Sequence, residues 1–275
     1  MKEQNGKFLK MLLYAVFLLA FFVLLQCKSY EPQVIEDDKS WKKFQPTLMI
    51  DSYIVERQYE GKTFTDLTRV YVNGGNKSIP QWAFAVVPSL EDVRLSPDIQ
   101  SIGDNAFFSC KKLARINLEN VDTIGENSFK NTALENINLS RAKIIKEFAF
   151  ANCTLLHRIK FSDNLDSIED FAFSGDTALV SCHLPAGCIG TGAFMGCSML
   201  KEVFLGNVLI IGDAAFLDCK SLTHVVIPAS VKSIGNDAFA GCINLKDATI
   251  CGKETKIAEN AFEKNVIISK KYEKL

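Results

Sequence analysis

Nine cysteines and three histidines are the residues of this chain best equipped for chemistry. Thiolates and imidazoles hold transition metals, pair as disulfides or act as nucleophile and base, provided the chain brings them together. Five of them, Cys110, Cys153, Cys197, Cys219 and Cys242, are spaced by 22, 23, 43 or 44 residues, and no C-x-x-C is present. Such spacings are too long for a zinc knuckle and too regular for unrelated sites. Cys197, Cys219 and Cys242 fall in successive units, so pairing between neighbours is geometrically open, but nothing in the spacing demands it. The simpler expectation is a recurring small buried apolar residue. Cys182 falls at a strand core position, Cys188 in a turn and Cys251 just beyond a strand. His157, His183 and His224 are expected at different columns and do not converge on a metal. No phosphate-binding loop, dinucleotide glycine fingerprint or G-x-S-x-G occurs, so no catalytic site, metal or cofactor is expected.

Cys27 has another context. Met1 to Lys10 carry three lysines and one glutamate, and Met11 to Leu25 are uncharged, ending in Leu24-Leu25-Gln26-Cys27. Fifteen apolar residues are short for a membrane span and suit an export signal over 1–26. The ending resembles the lipobox of bacterial lipoproteins, which implies lipidation of Cys27 and attachment of the chain to the cell envelope, at the outer membrane or cell surface. Gln26 stands where that motif has a small residue. An uncleaved anchor and an ordinary signal with an incidental cysteine therefore remain the alternatives. Residues 27–46 are polar and read as a flexible tether.

The elements that position these residues follow from self-similarity. Phe84, Phe107, Phe129, Phe150, Phe173, Phe194, Phe216, Phe239 and Phe262 recur at 21 to 23 residues, each with an isoleucine five positions earlier, from Ile79 to Ile257. Each unit opens with a leucine, from Leu67 to Leu245. Apolar residues follow at the third and fifth positions beyond it, as in Leu222-Thr-His-Val225-Val-Ile227. That alternation predicts a short strand with two inward positions. The following Ile-Gly-x-x-Ala-Phe-x-x-Cys predicts a tight glycine corner and a short helical or 3-10 turn. The expected fold is a leucine-rich repeat solenoid of α/β type, nine units over 67–262. Residues 47–66 are expected to cap its amino end and 263–275 its carboxyl end.

These units resemble the BspA-like leucine-rich repeat family, whose repeat reads L-x-x-I-x-I-P-x-x-V-x-x-I-G-x-x-A-F-x-x-C. Leu222 to Cys242 matches it most fully, with Pro228, Val231 and Ile234 in place. Ser128 replaces the alanine, and Val87, Thr132, Asp176 and Asn265 replace the cysteine. The resemblance implies a bacterial surface protein that attaches to host matrix proteins, host cells or other bacteria.

A unit of about 22 residues cannot offset the entropy of its own ordering, at about 1–2 kcal/mol per backbone residue, so stability must come from stacking. Nine strands at about 4.8 Å would make a parallel ribbon about 40 Å long. Its outward columns can be read from the register. Arg69, Asp92, Arg115, Asn136, Arg158, Ser181, Glu202, His224 and Asp247 lie two positions after each leucine. Tyr71, Arg94, Asn117, Asn138, Lys160, His183, Phe204, Val226 and Thr249 lie four after it. From these columns Arg69, Tyr71, Arg94, Arg115, Asn117, Arg158, Lys160 and Phe204 are the expected partner-binding residues, suited to an acidic protein surface or a glycan. With 31 basic and 32 acidic residues the chain has a net charge of −1, which gives no footprint for nucleic acid. Protein binding or adhesion is the leading functional expectation. A glycan-binding accessory of the envelope and a structural periplasmic scaffold are the alternatives.

Overall fold

The computed structural model of the chain describes residues 48–51, 67–73 and 77–271. Cys27, the export signal, the tether and most of the amino-terminal cap lie outside the described residues. Within them the chain is a parallel β-solenoid of nine turns, each contributing to two ladders.

The first ladder is the one expected from the leucine motif. Its strands are Leu48–Asp51, Arg69–Asn73, Asp92–Leu95 and Arg115–Ile116, then Asn136–Asn138 and Arg158–Lys160. Ser181–Ile189 and Glu202–Ile211 follow, and finally His224–Ile227, Asp247–Ile250 and Ile267–Lys270. It is not one continuous ribbon. Hydrogen-bonded pairing lapses between the third and fourth units, the fifth and sixth, and the seventh and eighth. At its two ends Leu48–Asp51 pairs with Arg69–Asn73, and Ile267–Lys270 pairs with Asp247–Ile250.

The second ladder is made by the dipeptide ending in the invariant isoleucine, from Ser78–Ile79 to Lys256–Ile257, and runs unbroken through nine strands. The two ladders merge in Ser181–Ile189 and Glu202–Ile211. There only five residues separate Leu184 from Ile189, where most units have six or seven, so the strand passes through the corner with a bulge between Gly187 and Cys188.

The segment around each phenylalanine is not helical, and no helix occurs among the described residues. The reason is an alternation of hydrogen bonds. In the second unit Asn105, Phe107 and Ser109 donate their N–H groups to Glu126, Ser128 and Lys130 of the next unit, at 2.7 to 2.8 Å. The intervening Ala106, Phe108 and Cys110 donate three residues back, to Gly103, Asn105 and Phe107. Bonding every second N–H across layers requires left-handed backbone on both sides of the phenylalanine. Asn105, Asn127 and Asp237 supply it two residues before, and Ser109, Asn131, Asn152 and Asp218 two residues after. Short polar side chains and glycine tolerate that region best. Phe148 and Phe171 adopt it too, with their rings stacked at 5.0 Å. The next unit has Gly192 there, at φ 58°, where a Cβ would lie 2.4 Å from the Phe171 ring.

The expected glycine corner has a different cause. Gly103 has no positive φ; a Cβ on it would lie 2.6 Å from the Gln81 nitrogen and 2.7 Å from the Ile79 oxygen of the preceding layer. Glycine here allows two backbones to approach.

The core is built of columns. The nine phenylalanines form one stack, with neighbouring ring centroids 4.8 to 5.4 Å apart and planes within 2° to 11°. Phe150, inside the stack and fully buried, touches a ring on each face. Phe150→Ala should lower unfolding stability by about 3–5 kcal/mol in urea titrations followed by circular dichroism. Val86 presents the reverse case, a β-branched and 62% exposed residue at φ 60°, where sister units place Asn131, Asn152 or glycine. Val86→Asn should raise stability by about 1 kcal/mol, seen as a melting temperature about 2–4 °C higher.

Candidate functional site

The cysteines resolve first. Cys110, Cys153, Cys197, Cys219 and Cys242 are buried, and each thiol donates to the phenylalanine carbonyl of the preceding layer, at 2.9 to 3.3 Å. The slot therefore favours a small side chain with one weak donor. Burial pushes the Cys110 thiol up to about 12 and raises Cys153, Cys182 and Cys197 as well. For Cys219 the neighbouring Cys242 thiol is the larger cause and burial the second. None of these is an activated nucleophile, which needs a lowered pKa. Among the described residues no three Cys, His, Asp or Glu side chains gather as a metal set.

Asp176 occupies the same slot and is fully buried. Its Oδ1 accepts the Cys153 N–H at 2.8 Å, while Oδ2 has no partner. Burial raises its pKa well above the carboxylate range, with the Cys153 bond opposing.

The candidate surface is the outward side of the first ladder, and the structure divides the expected residues into two groups. In the first group Asp92, only 4% exposed, sits among the arginines. Its Oδ2 lies 2.9 Å from Arg115 Nη2 and its Oδ1 3.9 Å from Arg94 Nε. Tyr71 is half-buried with the Ser96 hydroxyl as its partner, and burial raises its pKa. Arg69 is half-buried beside it and also engaged. Asn117 fills a gap where the strand Arg115–Ile116 ends early: its Oδ1 accepts the Leu95 N–H at 2.7 Å and its Nδ2 donates to the Leu95 carbonyl at 3.0 Å. These side chains bind one another and the backbone before any partner arrives.

The second group is open. Arg158 and Lys160 are exposed, and among the described residues no carboxylate lies within ion-pair distance of either. They line a shallow cleft at the lapse between Arg158–Lys160 and Ser181–Ile189, with Asn136, Ile137, Ile159, Ser181 and His183. Phe204 is 54% exposed, its ring centroid 5.8 Å from that of His183, and Val226 is exposed on the next strand. His224 is hydrogen-bonded to Asp247 farther along.

Sequence reasoning selected Arg158, Lys160 and Phe204 but passed over Asn136, Ser181 and His183 as cleft residues, because a lapse in strand pairing leaves no local motif. It also passed over a second concavity on the other ladder. That one is floored by Cys188 and Ile210 and rimmed by Glu147, Glu169 and Asp170.

Such a parallel solenoid, with exposed columns on one ladder, defines a repeat-type scaffold. The profile described as "BspA type Leucine rich repeat region" matches residues 60–156 and 143–271, in six copies. The chain belongs to the BspA-type leucine-rich repeat family. It is similar to a leucine-rich repeat protein of T. pallidum, at 25% identity and TM-score 0.48, over 66% of this chain and 77% of that one. It is also similar to a leucine-rich cell surface protein of Faecalibacterium prausnitzii, at 21% and 0.40, over 82% and 88%. A third is the pneumococcal vaccine antigen PcpA, at 17% and 0.43, over 82% and 74%. Among curated proteins no match is found.

The buried carboxyl gives this subsection its test. Asp176 is held protonated in the folded chain, whereas in the unfolded chain it ionises above about pH 4. Its stabilising contribution is thus complete below about pH 4 and declines as pH rises toward its raised folded value. Asp176→Cys restores the sister arrangement and removes that decline. Its melting temperature should exceed that of the parent chain by a margin that grows between about pH 5 and about pH 8. Parallel melting curves across that range would refute the assignment.

Proposed function

We propose that the chain is an envelope-anchored binding protein, held by a lipid on Cys27, whose first ladder presents an outward face to a protein partner outside the cell, in adhesion. The observation that carries this reading is the open cationic cleft near Phe204, beside a first stretch of the face whose arginines are bonded internally. A rigid array of layers offers an extended surface whose columns stay in register over many units, which suits binding more than turnover. The raised pKa values of Cys110, Cys153, Cys182, Cys197 and Cys219 make those thiols poor nucleophiles. One observation favours a glycan as second partner class: Phe204 is an exposed aromatic ring beside the His183 imidazole.

The anchor and its facing are tested on cells. Protease added to intact cells should remove the solenoid, and Cys27→Ala should shift the chain from the membrane to the soluble fraction. Full resistance to protease, with the protein present and membrane-bound, would turn the reading toward an inward-facing scaffold. Binding to immobilised matrix proteins or glycans should then be absent as well.

A further inference from the structure

The two groups of outward residues differ in one physical respect. Where Asp92 is buried between Arg94 and Arg115, the positive charge is answered from within. At Arg158 and Lys160 it is not, and the strands on either side of the cleft are not joined by ladder bonds. The inward side differs here as well. Ile159 is the inward residue of its strand, and it is half-buried, whereas Val93, Ile116, Ile137, Cys182, Val203 and Val225 at the same register are buried. The cleft thus has an apolar floor, two cations on one wall, and the Ser181 hydroxyl and His183 imidazole on the other.

Lys160, His183, Phe204 and Val226 occupy the same outward register on four successive strands. At about 4.8 Å per strand, Lys160 lies about 10 Å from Phe204. We propose that this row, with Arg158, is a two-part docking site for a protein segment that carries a carboxylate side chain close to an apolar one. The carboxylate enters the Arg158–Lys160 cleft and the apolar side chain covers Phe204 and Val226. Charge complementarity sets the first half, because guanidinium and ammonium groups with no carboxylate partner among the described residues gain most from an incoming anion. Val226 decides the class of partner. A sugar ring stacks on an aromatic face but gains little from an aliphatic side chain, whereas a leucine or phenylalanine buries both. Separations of about 10 Å between side-chain ends are within reach of residues three or four apart on a helix, or two or three apart in an extended segment.

This proposal rests on the strand-face reading above, and its test separates the two. The full-length protein is panned against a random peptide display library, and synthetic copies of enriched peptides are titrated by fluorescence anisotropy. The expected result is enrichment of Asp or Glu within four positions of a large apolar residue. Arg158→Glu with Lys160→Glu, and separately Phe204→Ser with Val226→Ser, should each weaken binding at least about tenfold at unchanged melting temperature. Arg115→Glu should leave it within about twofold. Peptides lost with Arg115→Glu but not with the other variants would overturn the docking site and leave the strand face in place. Peptides indifferent to every variant would overturn both. If no peptide is enriched, while dextran sulfate or polygalacturonate binds and loses affinity in the Arg158/Lys160 variant, the site belongs to an acidic polysaccharide and the protein-segment proposal falls.

Discussion

Everything in this molecule depends on one constraint: each layer must repeat at the spacing of parallel backbone hydrogen bonds, about 4.8 Å. The phenylalanine stack meets it, with ring centroids 4.8 to 5.4 Å apart over nine layers. A planar ring lying parallel to its neighbours is one of few large side chains that can recur at that interval. The alternating N–H bonds around each ring lock the same spacing into the backbone. Helical turns, with their bonds running within the chain, would leave those N–H groups unavailable to the next layer. The left-handed residues flanking each phenylalanine follow directly from that requirement.

The cysteine slot is a consequence of the same packing. A thiol three residues after the ring fits the narrow space and reaches a phenylalanine carbonyl behind it. Thr132 serves similarly through its hydroxyl, bonded to the Phe129 carbonyl at 2.9 Å. Asp176 is the exception, since one of its oxygens finds no donor and the stack tolerates it as a neutral acid. The columns continue without interruption on either side, with Phe150, Phe173 and Phe194 in contact. A solenoid confines such a fault to its neighbours because each layer touches only two others.

Much of this was legible in the residues. The recurrence from Phe84 to Phe262 gave the number of layers, and the alternation after Leu67 through Leu245 identified inward and outward strand positions. What the pattern could not give was the bonding of the turn. A run such as Ile-Gly-x-x-Ala-Phe has the same spacing whether its N–H groups close a 3-10 turn or reach the next layer. The distinguishing signal lay in the variable positions, where Asn105, Asn127, Asn131, Asn152 and Asp218 are residues that tolerate left-handed backbone. Likewise the two-residue strand ending in each isoleucine is too short to show a period of its own. On the outward face, Asp92 was visible in the column between Arg69 and Arg115, but its burial between Arg94 and Arg115 is a property of two strands together.

The breaks in the first ladder explain why one half of the face is open. A strand pair can lapse only if another connection keeps the layers together, and the second ladder and the ring stack do so without a gap. At the lapse between the third and fourth units, Arg115 and Asn117 are turned back to the second unit, Arg115 bonded to Asp92 and the Asn117 amide to the Leu95 backbone. At the lapse between the fifth and sixth, Arg158 and Lys160 are exposed with no ion-pair partner among the described residues, and Ile159 is only half-buried. Immediately after it come the two long strands, Ser181–Ile189 and Glu202–Ile211, which leave Phe204 exposed near one end and Leu209 and Ile210 near the other. A scaffold made of equal layers would distribute charge and apolar surface evenly. Here the shortened connection between Leu184 and Ile189 and the unbridged lapse before it fall in adjacent units, so the departures from the repeat, and not the repeat itself, single out this part of the face.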